Sequence, residues 1–242
     1  MIIQDSTIAI KFARVENLKR LFFENESSLR QAFNEATVLP IPDDAPSEIP
    51  RIILKSKGEY TQLNISTDSI SMQTTFDESY RRNWKLCEEY IKDKINHLFD
   101  FADSLTNGNY NYVGIVISII EDEVNEDATK VLANNLLSNK SQTSPYELNI
   151  KYTFLEENAY FVNITVQDVR VYREGTDISV SGALSEDKLR SHTIGATVDV
   201  NDRYSFNNIH NYKSSKDCLI KVLSLTTKSI EKLKPLISEG VY

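Results

Sequence analysis

Glycine and proline are scarce, with seven and six residues among 242, which leaves little material for long flexible linkers. There are two cysteines, Cys87 and Cys218, and both fall on predicted helices at core-like positions. A reduced, cytoplasmic chain is the expectation. No apolar run reaches the roughly 18 residues that a membrane span requires. Met1-Ile2-Ile3-Gln4-Asp5 lacks a basic region followed by an apolar core, so no signal peptide is expected. Four Asn-x-Ser/Thr sequons, at Asn25, Asn64, Asn139 and Asn163, carry no meaning without such a signal.

Basic charge is sparse as well. The net charge is −8, and no basic run exceeds Arg81-Arg82. A sequence-independent grip on nucleic acid needs clustered Lys and Arg, so none is expected. The three histidines, His97, His192 and His210, stand in no HExxH, HxH or His–Cys pattern. Zinc is not expected, and neither is any other cofactor. There is no GxSxG elbow, no Gly-rich phosphate loop and no GxGxxG. Neither cysteine has a histidine near it in sequence, and both read as small core residues.

What is present is a long amphipathic stretch. Tyr80, Trp84, Cys87, Ile91, Ile95, Leu98, Ala102 and Leu105 recur at steps of three and four, giving one apolar stripe over about eight turns of helix. Arg81, Arg82, Lys85, Glu88, Glu89, Lys92 and Asp93 occupy the other face. Asp77 is the predicted N-cap, and Asn107-Gly108-Asn109 the stop.

The rest of the chain is arranged around this helix. Thr7–Ala13 alternates as a half-buried strand, and Val15–Ala36 reads as one or two helical pieces. Pro40, Pro42, Pro46 and Pro50 punctuate an extended crossover connection. Arg51–Ser56, Tyr60–Ser66 and Ser69–Phe76 form a predicted antiparallel meander. After the helix, the near-continuous apolar run Tyr110–Ile120 predicts a strand buried on both faces. A short helix over Ala128–Leu137 follows. Four strands are then predicted, over Tyr146–Leu155, Ala159–Arg173, Asp177–Ala183 and His192–Val200. A final helix is capped by Ser214 or Ser215 and runs to about Ile237, with Pro235 expected to shorten it.

Each half therefore reads strand, helix, three or four strands, long helix. The expectation is an α+β fold of two similar halves, 1–108 and 109–242. Each is an antiparallel sheet covered by a long helix (77–105 and 214–237), packed together as a candidate internal duplication. One continuous sheet shared by both halves is the competing topology.

Pro50-Arg51, Gln62-Leu63-Asn64-Ile65, Asn83-Trp84 opening a long helix, and Val198-Asp199-Val200-Asn201 before the last helix carry a resemblance. The layout resembles a sporadically distributed bacterial family of about this length whose members have no settled function. The resemblance implies an accessory gene, including defence and mobile-element contexts, and supplies no catalytic residues. At fold level only, the second half also resembles helix-grip ligand binders.

The candidate contact residues are Glu121, Asp122 and Glu123 of the acidic run 121–127, together with Trp84, Asp199 and Arg203. The run reads as a solvated connection favouring a helix N-terminus, or as an acidic contact for a basic partner; it lacks the Gly of a calcium loop. The leading functional expectation is a non-enzymatic accessory protein that binds another protein, with a toxin or defence effector as the partner class. The alternative is a small-molecule binder with a cavity between helix and sheet, provided Tyr80, Trp84, Tyr152, Phe161 and Tyr172 point inward without filling it. Catalysis ranks last. Its only polar cluster, Asp199, Asp202, Arg203, His192 and His210, is expected to be scattered and mostly solvated.

Overall fold

A computed structural model describes residues 1–42, 44–122, 127–137, 145–172 and 188–242. Strand β1 (Ile2–Phe12) is followed by α1 (Leu18–Asn25), a 3-10 turn (Glu26–Ser28) and the two-residue β2 (Thr37–Val38). The meander β3 (Ile52–Lys55), β4 (Thr61–Ile65) and β5 (Ser69–Thr75) leads into α2 (Trp84–Thr106). Then come β6 (Tyr110–Ile120), α3 (Ala128–Leu136), β7 (Asn149–Glu156), β8 (Tyr160–Tyr172), β9 (Leu189–Asn201), α4 (Arg203–Asn208) and α5 (Lys216–Glu239). The strand expected over 177–183 lies outside the described residues.

The expectation of two sheets, each under its own helix, is corrected. Among the described residues there is one nine-stranded antiparallel sheet, in the order β2-β3-β4-β5-β1-β6-β9-β8-β7. The cause is the β1–β6 ladder, which runs from Ile2 opposite Ile120 to Phe12 opposite Tyr110 and joins the first strand of each half. Outward from that ladder the order is β1, β5, β4, β3 on one side and β6, β9, β8, β7 on the other.

One face of the sheet is apolar. Leu54, Leu63, Met72, Ile8, Ile115, Val200, Val162 and Phe154 form one cross-strand row, and all but the edge residue Phe154 are buried. The buried stripes of α2 (Cys87, Ile91, Ile95, Leu98, Ala102) and α5 (Leu219, Val222, Thr226, Leu233) belong to the same core. The other face remains open, as antiparallel sheets permit. This corrects the reading of β6 as buried on both sides: Val116, Ser118 and Ile120 stay half-buried while Val113, Ile115 and Ile117 are fully covered.

The helix ends follow side-chain chemistry. Helix α2 begins at Trp84 because Asn83 accepts from Lys85 N, whereas Asp77 closes a preceding turn by accepting from Ser79 N. The helix stops at Asn107, whose φ of 52° ends the helical path. In α5, Ser215 accepts from Cys218 N. Pro235 does not shorten α5, which continues to Glu239 and ends on Gly240 at φ 70°.

The proline-rich connection is organised by one side chain. Arg51 is 1% exposed, and its guanidinium donates to the carbonyls of Ala45 (2.9 Å), Pro46 (2.8 Å) and Ile49. Among the described residues no carboxylate pairs with the cation, and carbonyl dipoles converge on it instead.

Candidate interaction surface

The open face is read from the strand register. One row crosses it as Lys55, Gln62, Gln73, Thr7, Val116, Asp199, Asn163 and Thr153. The next runs Ile53, Asn64, Ser71, Ala9, Gly114, Asn201, Phe161 and Leu155. Small and neutral polar side chains make up most of this floor, with Lys55 and Asp199 charged and Ile53, Val116, Phe161 and Leu155 apolar. Gly114 is held small by its neighbour, since a Cβ there would come within 3.0 Å of Asn201 Cβ.

At one end the floor rises into an aromatic ridge carried by α4. Tyr204 meets Phe161 edge-on at 5.4 Å, and Phe206 lies 5.4 Å from Tyr112. The Arg203 guanidinium sits 5.1 Å above the Tyr112 ring, a cation–π arrangement. Phe206, Leu155 and Ile209 are 38%, 41% and 52% exposed. Large aromatics with an arginine are the residue types that dominate binding energy at protein interfaces.

The ridge is held rigidly. Asp202, fully buried at the start of α4, accepts from Val113 N (2.7 Å), Tyr212 Oη (2.8 Å) and Ser214 Oγ. Burial pushes its carboxyl above the ordinary range, against the pull of those donors. Ser205 adds a second tie, donating through N and Oγ to Ala159 O in the β7–β8 turn. A six-residue helix is thereby fixed to β6, to the turn and to the segment before α5.

Five of the six residues named from sequence fall in two places. Asp199 lies on the open face, where its alternation with Val198 and Val200 puts it, and accepts from Asn163 and Asn201. Asn201 in turn accepts from Arg203 N, so Asp199 and Arg203 share the ridge end. Glu121, Asp122 and Trp84 lie where β6 ends beside the start of α2. Asp122 pairs with Arg82, which holds its carboxyl below the ordinary range. Glu121 lies 3.7 Å from the Met1 amine. Trp84 is half-buried and donates from Nε1 to Thr227 Oγ1 of α5 at 3.1 Å. Glu123 lies outside the described residues. Sequence reasoning missed Tyr112, Tyr204 and Phe206. Tyr204 and Phe206 follow Arg203 closely in sequence, but that spacing means little until β6 and β9 pair and bring Tyr112 beside them.

Phe161, expected to point inward, lies on the open face instead. The alternation near it is irregular in sequence, and the β8–β9 ladder decides its phase. The polar cluster is not assembled as named. Asp202 is buried rather than solvated, His210 is exposed, and His192 lies seven positions along β9 from Asp199. His192 Nε2 faces Asp168 Oδ2 at 3.1 Å, with Thr129 Oγ1 at 3.5 Å from the same nitrogen. A nitrogen already engaged by a carboxylate is badly placed to take the Thr129 proton, so this is no nucleophile–base relay. Among the described residues no group of three or more His, Cys, Asp or Glu is placed to hold a metal.

The clefts among the described residues include one of about 430 Å³ beside α1 (Phe23, Arg30, Phe33) and one of about 470 Å³ around Tyr146, Arg170 and His192. Neither is lined by α2 or α5. Among the described residues, no helix is long and apolar enough to cross a membrane. Compared with models of known families and with curated proteins, the chain matches none.

Proposed function

We propose that this chain is a non-enzymatic, cytoplasmic interaction protein that docks a partner protein on the open face of its sheet. The ridge of Tyr112, Phe161, Arg203, Tyr204 and Phe206 is the anchor. The observation that carries the reading is the ridge itself: exposed aromatic and guanidinium groups on a short helix immobilised by the buried Asp202. Pre-organised groups lose little entropy on binding, which is where affinity is gained. The mostly polar strand rows beside them suit a protein surface better than a small molecule. The resemblance to an accessory bacterial family supports a toxin or defence effector encoded nearby as the partner class, with regulation or neutralisation as the outcome.

The test is affinity capture from the native host with wild-type chain and with Arg203→Ala/Phe206→Ala. Wild type is expected to recover one stoichiometric protein, and the double variant to lose it while melting at the wild-type temperature. Recovery of no stoichiometric protein, or equal recovery by both chains, sinks the proposal.

A further inference from the structure

The two edges of the sheet differ. The β2 edge is two residues long and is followed by Pro40 and Pro42, devices that blunt an edge. The β7 edge runs for eight residues, Asn149–Glu156, without Pro or Gly, and its ladder with β8 has no register shift. Among the described residues no strand pairs with its outer side. The phase of its free groups follows from one hydrogen bond. Asp168 N donates to Leu148 O at 3.1 Å, so alternate residues Ile150, Tyr152 and Phe154 turn their peptide groups toward β8. Asn149, Lys151, Thr153 and Leu155 turn theirs outward.

The apolar layer also stops short at this edge. Val162, Ile164 and Val166 of β8 are buried at 1%, 0% and 0%, while their partners Phe154, Tyr152 and Ile150 remain half-buried. Outward peptide groups and an unfinished apolar row call for the same occupant, another strand.

We propose that a second copy of this chain pairs with β7 antiparallel across a two-fold axis at Tyr152, making one continuous sheet of two molecules. The register is selected by the strand. An axis at Lys151 sets like charges directly opposite, which is unfavourable. An axis at Thr153 places Asn149 opposite the turn and wastes its peptide group. With the axis at Tyr152, Lys151 of one copy faces Thr153 of the other and Asn149 faces Leu155, so all four outward residues exchange hydrogen bonds. On the helix side Ile150 faces Phe154, and the two Tyr152 rings meet at the axis. The open faces of the two copies become continuous. The inference does not depend on the docking partner proposed above.

Molar mass by light scattering across a hundredfold concentration range tests it. Wild type is expected to approach twice the chain mass. Thr153→Pro removes an outward N–H and leaves the β7–β8 ladder intact, so it is expected to stay monomeric with unchanged circular dichroism. Tyr152→Cys in a Cys218→Ser background tests the register. Residues facing each other at the axis lie within disulfide reach, so it is expected to oxidise to a covalent dimer. Asn149→Cys, about six residues or roughly 20 Å from its counterpart, is not. A monomer at every concentration, an unchanged mass for Thr153→Pro, or equal cross-linking of the two cysteine variants would overturn the proposal.

Discussion

His192 Nε2 lies 3.1 Å from Asp168 Oδ2, on the neighbouring strand of the β8–β9 pair. Asp168 is almost wholly covered, with its side chain 2% exposed, and also accepts from Leu148 N at 2.7 Å, with Arg170 at 3.6 Å. The carboxylate ties together the start of β7, the far end of β8 and β9. Burial works to raise its proton affinity, but the Leu148 amide, His192 and Arg170 outweigh it and hold the carboxyl below the ordinary range.

A carboxyl with a lowered folded pKa stabilises the fold fully above its unfolded value, about 4, and loses that contribution as pH falls through the lower folded value. Asp168→Asn is therefore expected to cost about 2 kcal/mol at neutral pH, the scale of a hydrogen bond to a charged group. The gap from wild type should narrow below about pH 4. Urea denaturation at a series of pH values measures it, and a gap that persists undiminished into acid contradicts the assignment.

Asp202 has the opposite sign. Its folded pKa is raised, so its contribution is complete below the unfolded value and declines as pH rises through the folded one. Burial thus makes the charged form of Asp202 the costly one. Asp202→Ala strands the Val113 amide and two hydroxyls and is expected to cost about 3 kcal/mol. Asp202→Asn keeps an acceptor without the charge and should cost less than half as much. Denaturation of the two variants at neutral pH decides this; equal losses would show that charge, not hydrogen bonding, holds the ridge.

Arg51→Lys is expected to behave almost as badly as Arg51→Met. A lysine is a point donor, whereas the planar fork reaches Ala45, Pro46 and Ile49 together. Both variants should lose about 3 kcal/mol and become cleavable near Pro46 under limited proteolysis. A stable, uncut lysine variant would argue that the connection holds itself.

The two cysteines should separate under a thiol reagent. Cys87 is fully buried and its thiol is pushed up to about 12 by burial, whereas Cys218 is half-buried near Tyr212. Only Cys218 is expected to react in the native protein, and Cys87 only after denaturant is added. Reaction of both at one rate would mean that α2 opens readily.

The periodicities in the sequence carried the local structure. The Cys87–Leu105 stripe, the Asn107 stop, the three-strand meander and the strand–helix–strands–helix order of each half all follow from side-chain spacing and turn chemistry within a few residues. These are short-range effects, and the residues that decide them are adjacent in the chain. Tertiary structure decided what joins to what. Nothing in either segment says that Ile2–Phe12 and Tyr110–Ile120 pair, because a half-buried strand has the same alternation whichever neighbour it takes. That pairing turned two expected sheets into one and left one face of β6 open. The β8–β9 ladder set the phase of β8, which put Phe161 outside. The ridge needed the β6–β9 pairing: Asp202 must reach Val113, Tyr212 and Ser214 before Arg203, Tyr204 and Phe206 can stand over Tyr112 and Phe161. Asp168 and His192, 24 residues apart in the chain, meet through the β8–β9 ladder. Ladder register, not local propensity, sets which side chains on neighbouring strands become partners.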